Sequence, residues 1–192
     1  MASTPADPSE HDAFYLQYGK ALASWAKIED QMSAMFSILC GLSPVSGMGI
    51  ALFFSGRSFA TRQDLINAAI RNSPHADEDQ QTLFRALVKK AKRYSTARNH
   101  IAHGIPVSLY SDEGPYEGVR IKEGEGVWDH GGGLGVDELA MAETNFDILF
   151  GIMQDAVHGP REGCLERVQE LPNDALCLNS PNQPTNRRQS QP

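Results

Sequence analysis

The sequence predicts an all-α fold: a helical bundle of four to five helices, with a small β-hairpin or meander inserted before the last long helix. Three observations predict it. Apolar residues keep an i, i+3/i+4 rhythm over three long segments. Clusters of Gly, Pro, Ser and Asp separate the segments. Only once, at about residues 106–130, does the rhythm give way to short β-like pieces.

Taken in order, residues 1–9 are rich in Pro, Ser and Ala and are expected to be disordered. The first helix is predicted from about Glu10 to Cys40, with Phe14, Tyr18, Leu22, Trp25, Ile28, Met32, Phe36 and Leu39 inward. Gly41 and Pro44 end it. A short apolar helix is expected at Gly47 to Phe54. Ser58 caps a third helix, "FATRQDLINAAIRN", with Phe59, Leu65, Ile66, Ala69 and Ile70 inward. The turn "SPHADED" precedes a fourth helix from about Asp77 to His103, which Gly104 and Pro106 stop. "VSLY", "GVRI" and "GVW" are the β-like pieces, and "DHGGGLG" reads as a flexible loop. Asp137 is expected to cap the last long helix, Glu138 to His158, and a weaker helical turn follows in "REGCLERVQEL". The folded domain is thus expected over residues 10–171. Residues 172–192, dominated by Asn, Pro, Gln, Ser and Arg, are expected to form a disordered tail.

Length and composition narrow the function. A chain of 192 residues with 41% hydrophobic and 21% charged residues is that of a one-domain globular protein. No apolar run approaches the ~20 residues that span a bilayer, so no membrane role is expected. The N-terminus lacks the basic-then-apolar pattern of a secretory signal. Three widely spaced cysteines, Cys40, Cys164 and Cys177, form no CxxC pair; a reducing, cytoplasmic setting is the simplest expectation. A net charge of −7 leaves nucleic-acid binding to a local basic patch. One exists: between Leu83 and Gly104 stand Arg85, Lys89, Lys90, Lys92, Arg93 and Arg98, with no acidic residue. Such a run is either a solvated helix face or a site for a polyanion.

The stretch "RNHIAHG" closes this helix. On a wheel of 100° per residue, Phe84, Leu87, Ala91, Tyr94 and Ala102 fall within about 40° of Arg98. Arg98 therefore points inward, where a guanidinium is costly unless paired. On the first helix Glu29 lies about 40° from Trp25, also on the apolar face. A Glu29–Arg98 pairing follows as an expectation, either as the rim of a cleft or as a salt bridge with no chemistry. Asn99 lies about 100° and His103 about 140° from Arg98, flanking one side of the stripe on the last turn. His100 is expected to face away. His100 and His103 are spaced i, i+3, but no HExxH pattern, nearby Cys or third ligand accompanies them, so neither a metal nor any other cofactor is expected.

"RNHIAH" resembles the Arg-x4-His form of the Arg-x4–6-His motif of HEPN domains, with Arg98, Asn99 and His103 in the motif positions. The helical bundle and the long first helix with an inward acid agree with this. The "W-x-x-I-E" pattern at Trp25 to Glu29 and the "R-N-x-I-A-H-G" helix end also resemble a group of bacterial and prophage-associated proteins. The likeness covers roughly residues 10–160. It implies a metal-independent endoribonuclease of the toxin or phage-defence kind. It further implies a homodimer with two motifs facing one cleft, RNA as substrate, and an antitoxin-type protein as partner. On that implication His103 is general base or acid, Arg98 stabilises charge on the phosphoryl oxygens, Asn99 orients the phosphate or imidazole, and Glu29 holds Arg98. Lys89, Lys92 and Arg93 would attract the RNA backbone. The alternative is a non-catalytic helical dimerisation or interaction module of the same fold.

Overall fold

The computed structural model describes residues 8–110, 116–122 and 133–177. The described residues form helices α1 (Pro8–Leu39), α2 (Gly47–Phe54), α3 (Phe59–Asn72), α4 (Glu78–His103), α5 (Val136–His158) and α6 (Cys164–Glu170). Between α4 and α5 lies an antiparallel hairpin of β1 (Ile105–Tyr110) and β2 (Tyr116–Lys122). The expected helical bundle with its small β insertion is what forms.

Side-chain capping sets most of the boundaries. The Ser58 Oγ accepts the Thr61 N–H at 3.1 Å and opens α3. Asp77 Oδ1 accepts the Gln80 N–H at 2.7 Å and opens α4. Gly41, at φ +73°, lets the chain turn sharply off α1, and the Leu42 N–H reaches back to the Ser37 carbonyl at 2.9 Å. α2 then folds back onto the end of α1. The contact is possible because Gly49 has no side chain: a Cβ there would collide with Ser37 Oγ.

The core is a continuous apolar mass shared by the long helices. The ring of Trp25 (α1) lies 5.3 Å from both Phe59 (α3) and Phe146 (α5), and Phe146 lies 6.0 Å from Tyr94 (α4). One chain of aromatic contacts thus ties four helices together. On the rim, Lys27 of α1 pairs with Asp147 of α5 at 3.0 Å, and Gln17 bonds Glu143.

The bundle has two distinct ends. At one, the Ser73 Oγ–H donates to the Leu39 carbonyl at 2.6 Å, joining the close of α1 to the approach to α4. At the other, Ser108 of β1 meets His11 of α1 at 3.4 Å. α4 runs from the first end to the second, about 39 Å at 1.5 Å per residue.

Several sequence expectations change. α1 begins at Pro8, inside the segment expected to be disordered; residues 1–7 lie outside the described residues. The last long helix begins at Val136 rather than Glu138, because Glu138, not Asp137, supplies the cap: its Oε2 accepts the Gly135 N–H at 2.8 Å. Of the "DHGGGLG" loop, Leu134 pairs with Ile121 in an isolated bridge. "GVW" lies outside the described residues. The domain does not stop at residue 171. Ala175 is fully buried, and the Asn145 side chain donates to the carbonyls of Ala175 and Cys177 at 2.8 and 3.0 Å. The Asn- and Pro-rich composition of this segment hides the apolar anchors Leu171, Ala175 and Leu176 that dock it. Among the described residues, no helix is long and apolar enough to cross a membrane.

Candidate functional site at the end of helix α4

α4 carries acids in its first turn, Glu78 and Asp79, and His100 and His103 in its last. Both placements complement the helix dipole. The last turn closes where the Gly104 N–H bonds the His100 carbonyl at 3.0 Å, and Pro106 bars further helix.

Arg98 points inward from this turn and stays half-buried, as the wheel predicts. Its Nε is enclosed without a hydrogen-bond partner, and its Nη1 donates to Asn99 Oδ1 at 3.1 Å. Asn99 and His103 are exposed. His100, expected to face away, is half-buried.

Glu29 does not pair with Arg98. It pairs with Arg62 of α3, Nη2 to Oε1 at 2.8 Å, with both side chains largely enclosed. Arg62 is braced for that role: its guanidinium lies 5.3 Å from the Phe54 ring centre, and its Nε donates to the Ser58 carbonyl at 3.4 Å. The physical reason for the correction is that a wheel fixes the face of a helix and not its neighbour. Both residues face the interior, but α3 presents its own arginine to Glu29. Among the described residues, Arg98 consequently has no carboxylate within ion-pair distance.

The basic run of α4 divides in three. Lys89 and Lys92 are exposed. Arg93 is exposed but bonds the Asn173 side chain of the C-terminal segment. Lys90 leaves the patch altogether: it is only 6% exposed and donates to the carbonyls of Leu171 and Pro172 at 2.8 and 3.2 Å. Burial lowers its pKa, and the neighbouring Arg93 lowers it further. The same C-terminal segment lies against Tyr94, whose enclosed hydroxyl has its pKa raised by burial, then by Asp174 and Cys177. Sequence reasoning missed this segment as a neighbour of α4.

Among the described residues, no three His, Cys, Asp or Glu side chains group as a metal-ligand set. What the turn offers chemically is a half-buried guanidinium with no neutralising acid among the described residues, an amide bonded to it, and an imidazole in solvent on the same turn. No protein-family model, curated protein or solved structure matches the chain.

Proposed function

We propose that the protein is a metal-independent endoribonuclease of the HEPN kind, with its phosphate site on the last turn of α4. The observation that carries this reading is Arg98. A half-buried cation without a carboxylate in ion-pair range among the described residues favours binding of an external anion. Its planar fork matches two phosphoryl oxygens, and the Asn99 amide that holds it offers a further donor to the same group. His103 then takes the proton from a ribose 2′-hydroxyl, or supplies one to the leaving 5′-oxygen. Attack of the 2′-oxygen on phosphorus breaks the bond to the 5′-oxygen. The products are a 2′,3′-cyclic phosphate and a free 5′-hydroxyl. Lys89 and Lys92 add long-range attraction for the RNA backbone. Glu29 has no part in the site, because its charge is committed to Arg62.

The test is cleavage of single-stranded RNA by the purified protein in excess EDTA, with the product ends identified. We expect 2′,3′-cyclic phosphate ends, and a rate loss of about 10²- to 10⁴-fold in His103→Ala and in Arg98→Ala with helical content unchanged. Cleavage that survives His103→Ala overturns the assigned role. Intact RNA with the wild-type protein favours the non-catalytic interaction module instead.

A further inference from the structure

A cavity of about 420 Å³ opens between the first turns of α4 and the start of α6. It lies about 27 Å along α4 from Arg98, so the proposed RNA chemistry does not use it. Its volume is in the range of small-molecule sites. Leu83 and Leu165 give it an apolar side, Asp79 and Glu166 bring carboxylates, and Arg161 brings a guanidinium. Gly163, at φ +72°, lets the chain turn from Arg161 into α6, which sets Arg161 and Glu166 around one opening.

These charges do not neutralise one another. Among the described residues, no ion pair involves Asp79, Glu166 or Arg161. Arg161 is steadied through its Nε, which donates to the Ala156 carbonyl at 3.4 Å. Its terminal nitrogens have no hydrogen-bond partner among the described residues.

Gln80 is the observation that points to a ligand. Its side chain lines the cavity, the residue is only 4% exposed, and its Nε2 is enclosed without a hydrogen-bond partner. Its neighbours are satisfied: the Gln80 N–H donates to Asp77 Oδ1, and Gln81 Nε2 donates to the Ala76 carbonyl at 3.1 Å. A buried donor left without an acceptor is destabilising, and the cavity beside it has room for the acceptor that the described chain does not supply.

We infer that this cavity binds a zwitterionic α-amino acid with an aliphatic side chain. The ligand carboxylate takes hydrogen bonds from Gln80 Nε2 and from the terminal nitrogens of Arg161. The ammonium lies against Asp79 and Glu166, and the aliphatic side chain packs on Leu83 and Leu165. The charge pattern selects this class. A simple anion meets the two carboxylates, and a simple amine leaves Gln80 without an acceptor and sets a second cation beside Arg161. A metal ion does not fit, since no three His, Cys, Asp or Glu side chains group as ligands among the described residues. Occupancy ties α4 to α6 and stabilises the folded chain by mass action. The inference does not depend on the RNA chemistry proposed for the other end of α4.

Calorimetric titration of the full chain with L-leucine, and thermal unfolding at rising leucine concentration, test it. Saturable binding and a Tm that climbs with leucine are expected. Isopentylamine, which lacks the carboxylate, and 4-methylpentanoate, which lacks the ammonium, should each bind at least about tenfold more weakly. Gln80→Leu should weaken leucine binding by a similar factor, and so should Arg161→Ala, an exposed position whose substitution leaves helical content unchanged. No binding up to about 10 mM leucine means that water meets the Gln80 donor, and overturns the inference. Isopentylamine or 4-methylpentanoate binding as tightly as leucine assigns the cavity to a simple cation or anion and also overturns it. Leucine binding indifferent to Gln80→Leu or to Arg161→Ala does the same.

Discussion

The two ends of α4 leave opposite kinds of surface open. At its C-terminal end the chain exposes Asn99 and His103 and keeps a half-buried Arg98 that no described acid pairs with. Near its N-terminal end, where α1 closes and α2 folds back, the stretch Gly41–Gly56 exposes Val45, Met48 and Leu52 and holds no charged residue, beside the exposed acids Asp77, Glu78 and Asp79 that open α4. The first surface suits a charged ligand, since a cation out of water gains most from an anion. The second suits an apolar partner, since burial there displaces water without stranding a polar group. Some 39 Å of helix separates them, so substitutions at one end should act independently of the other. The core between them is shared.

The largest expected effect breaks the independence of the two ends. Phe146 touches both Trp25 and Tyr94 and is fully buried. Phe146→Ala should lower unfolding stability by about 3–5 kcal/mol in a denaturant titration, and the structure at both ends of α4 should then be lost in one transition. An intermediate effect sharpens the comparison by placing Glu29 on the α3 side. Arg62→Met leaves a largely enclosed carboxylate without its cation and should cost about 1–3 kcal/mol. A double-mutant cycle should show coupling between Glu29→Gln and Arg62→Met, and simple additivity between Glu29→Gln and Arg98→Ala. Strong coupling of Glu29 to Arg98 would move Glu29 back to the candidate site.

The smallest effect concerns Lys90. Its native pKa lies below the ordinary lysine value of 10.5 because burial, then Arg93, disfavours the charge. Between the native value and 10.5 the unfolded chain binds more protons than the folded one, so this residue makes stability rise with pH across that window. Lys90→Met should flatten that rise in unfolding experiments at alkaline pH. An unchanged slope would mean that Lys90 is hydrated, as its exposed neighbours Lys89 and Lys92 are.

Much of the fold was legible because its signals are local. Phe14, Trp25, Ile28, Met32 and Leu39 line one face of α1 by period alone, and all are buried. Ser58 and Asp77 announce their helices because a cap needs only the next three residues. The misses are equally physical. Asp137 looked like a cap, but Glu138 reaches back to Gly135 and opens the helix earlier. The segment after Leu171 looked like tail because its composition is polar, yet the carbonyls of Leu171 and Pro172 satisfy Lys90 and Ala175 fills a gap beside Asn145. At the candidate site, the inward turn of Arg98 followed from 100° per residue, whereas His100, expected to face away, is half-buried. The partner of Glu29 did not follow from it.

The sequence by itself determined which faces of α1, α3, α4 and α5 turn inward, where most helices begin and end, and that Arg98 stands on an apolar stripe. Those are consequences of periodicity and of hydrogen bonds within a few residues. Tertiary structure alone decided that Arg62 and not Arg98 neutralises Glu29, that Lys90 is buried beneath Leu171 and Pro172, and that no described residue covers the outer face of α2. Each depends on which elements meet across the bundle, and residues far apart in the chain carry no local signal of whom they will touch.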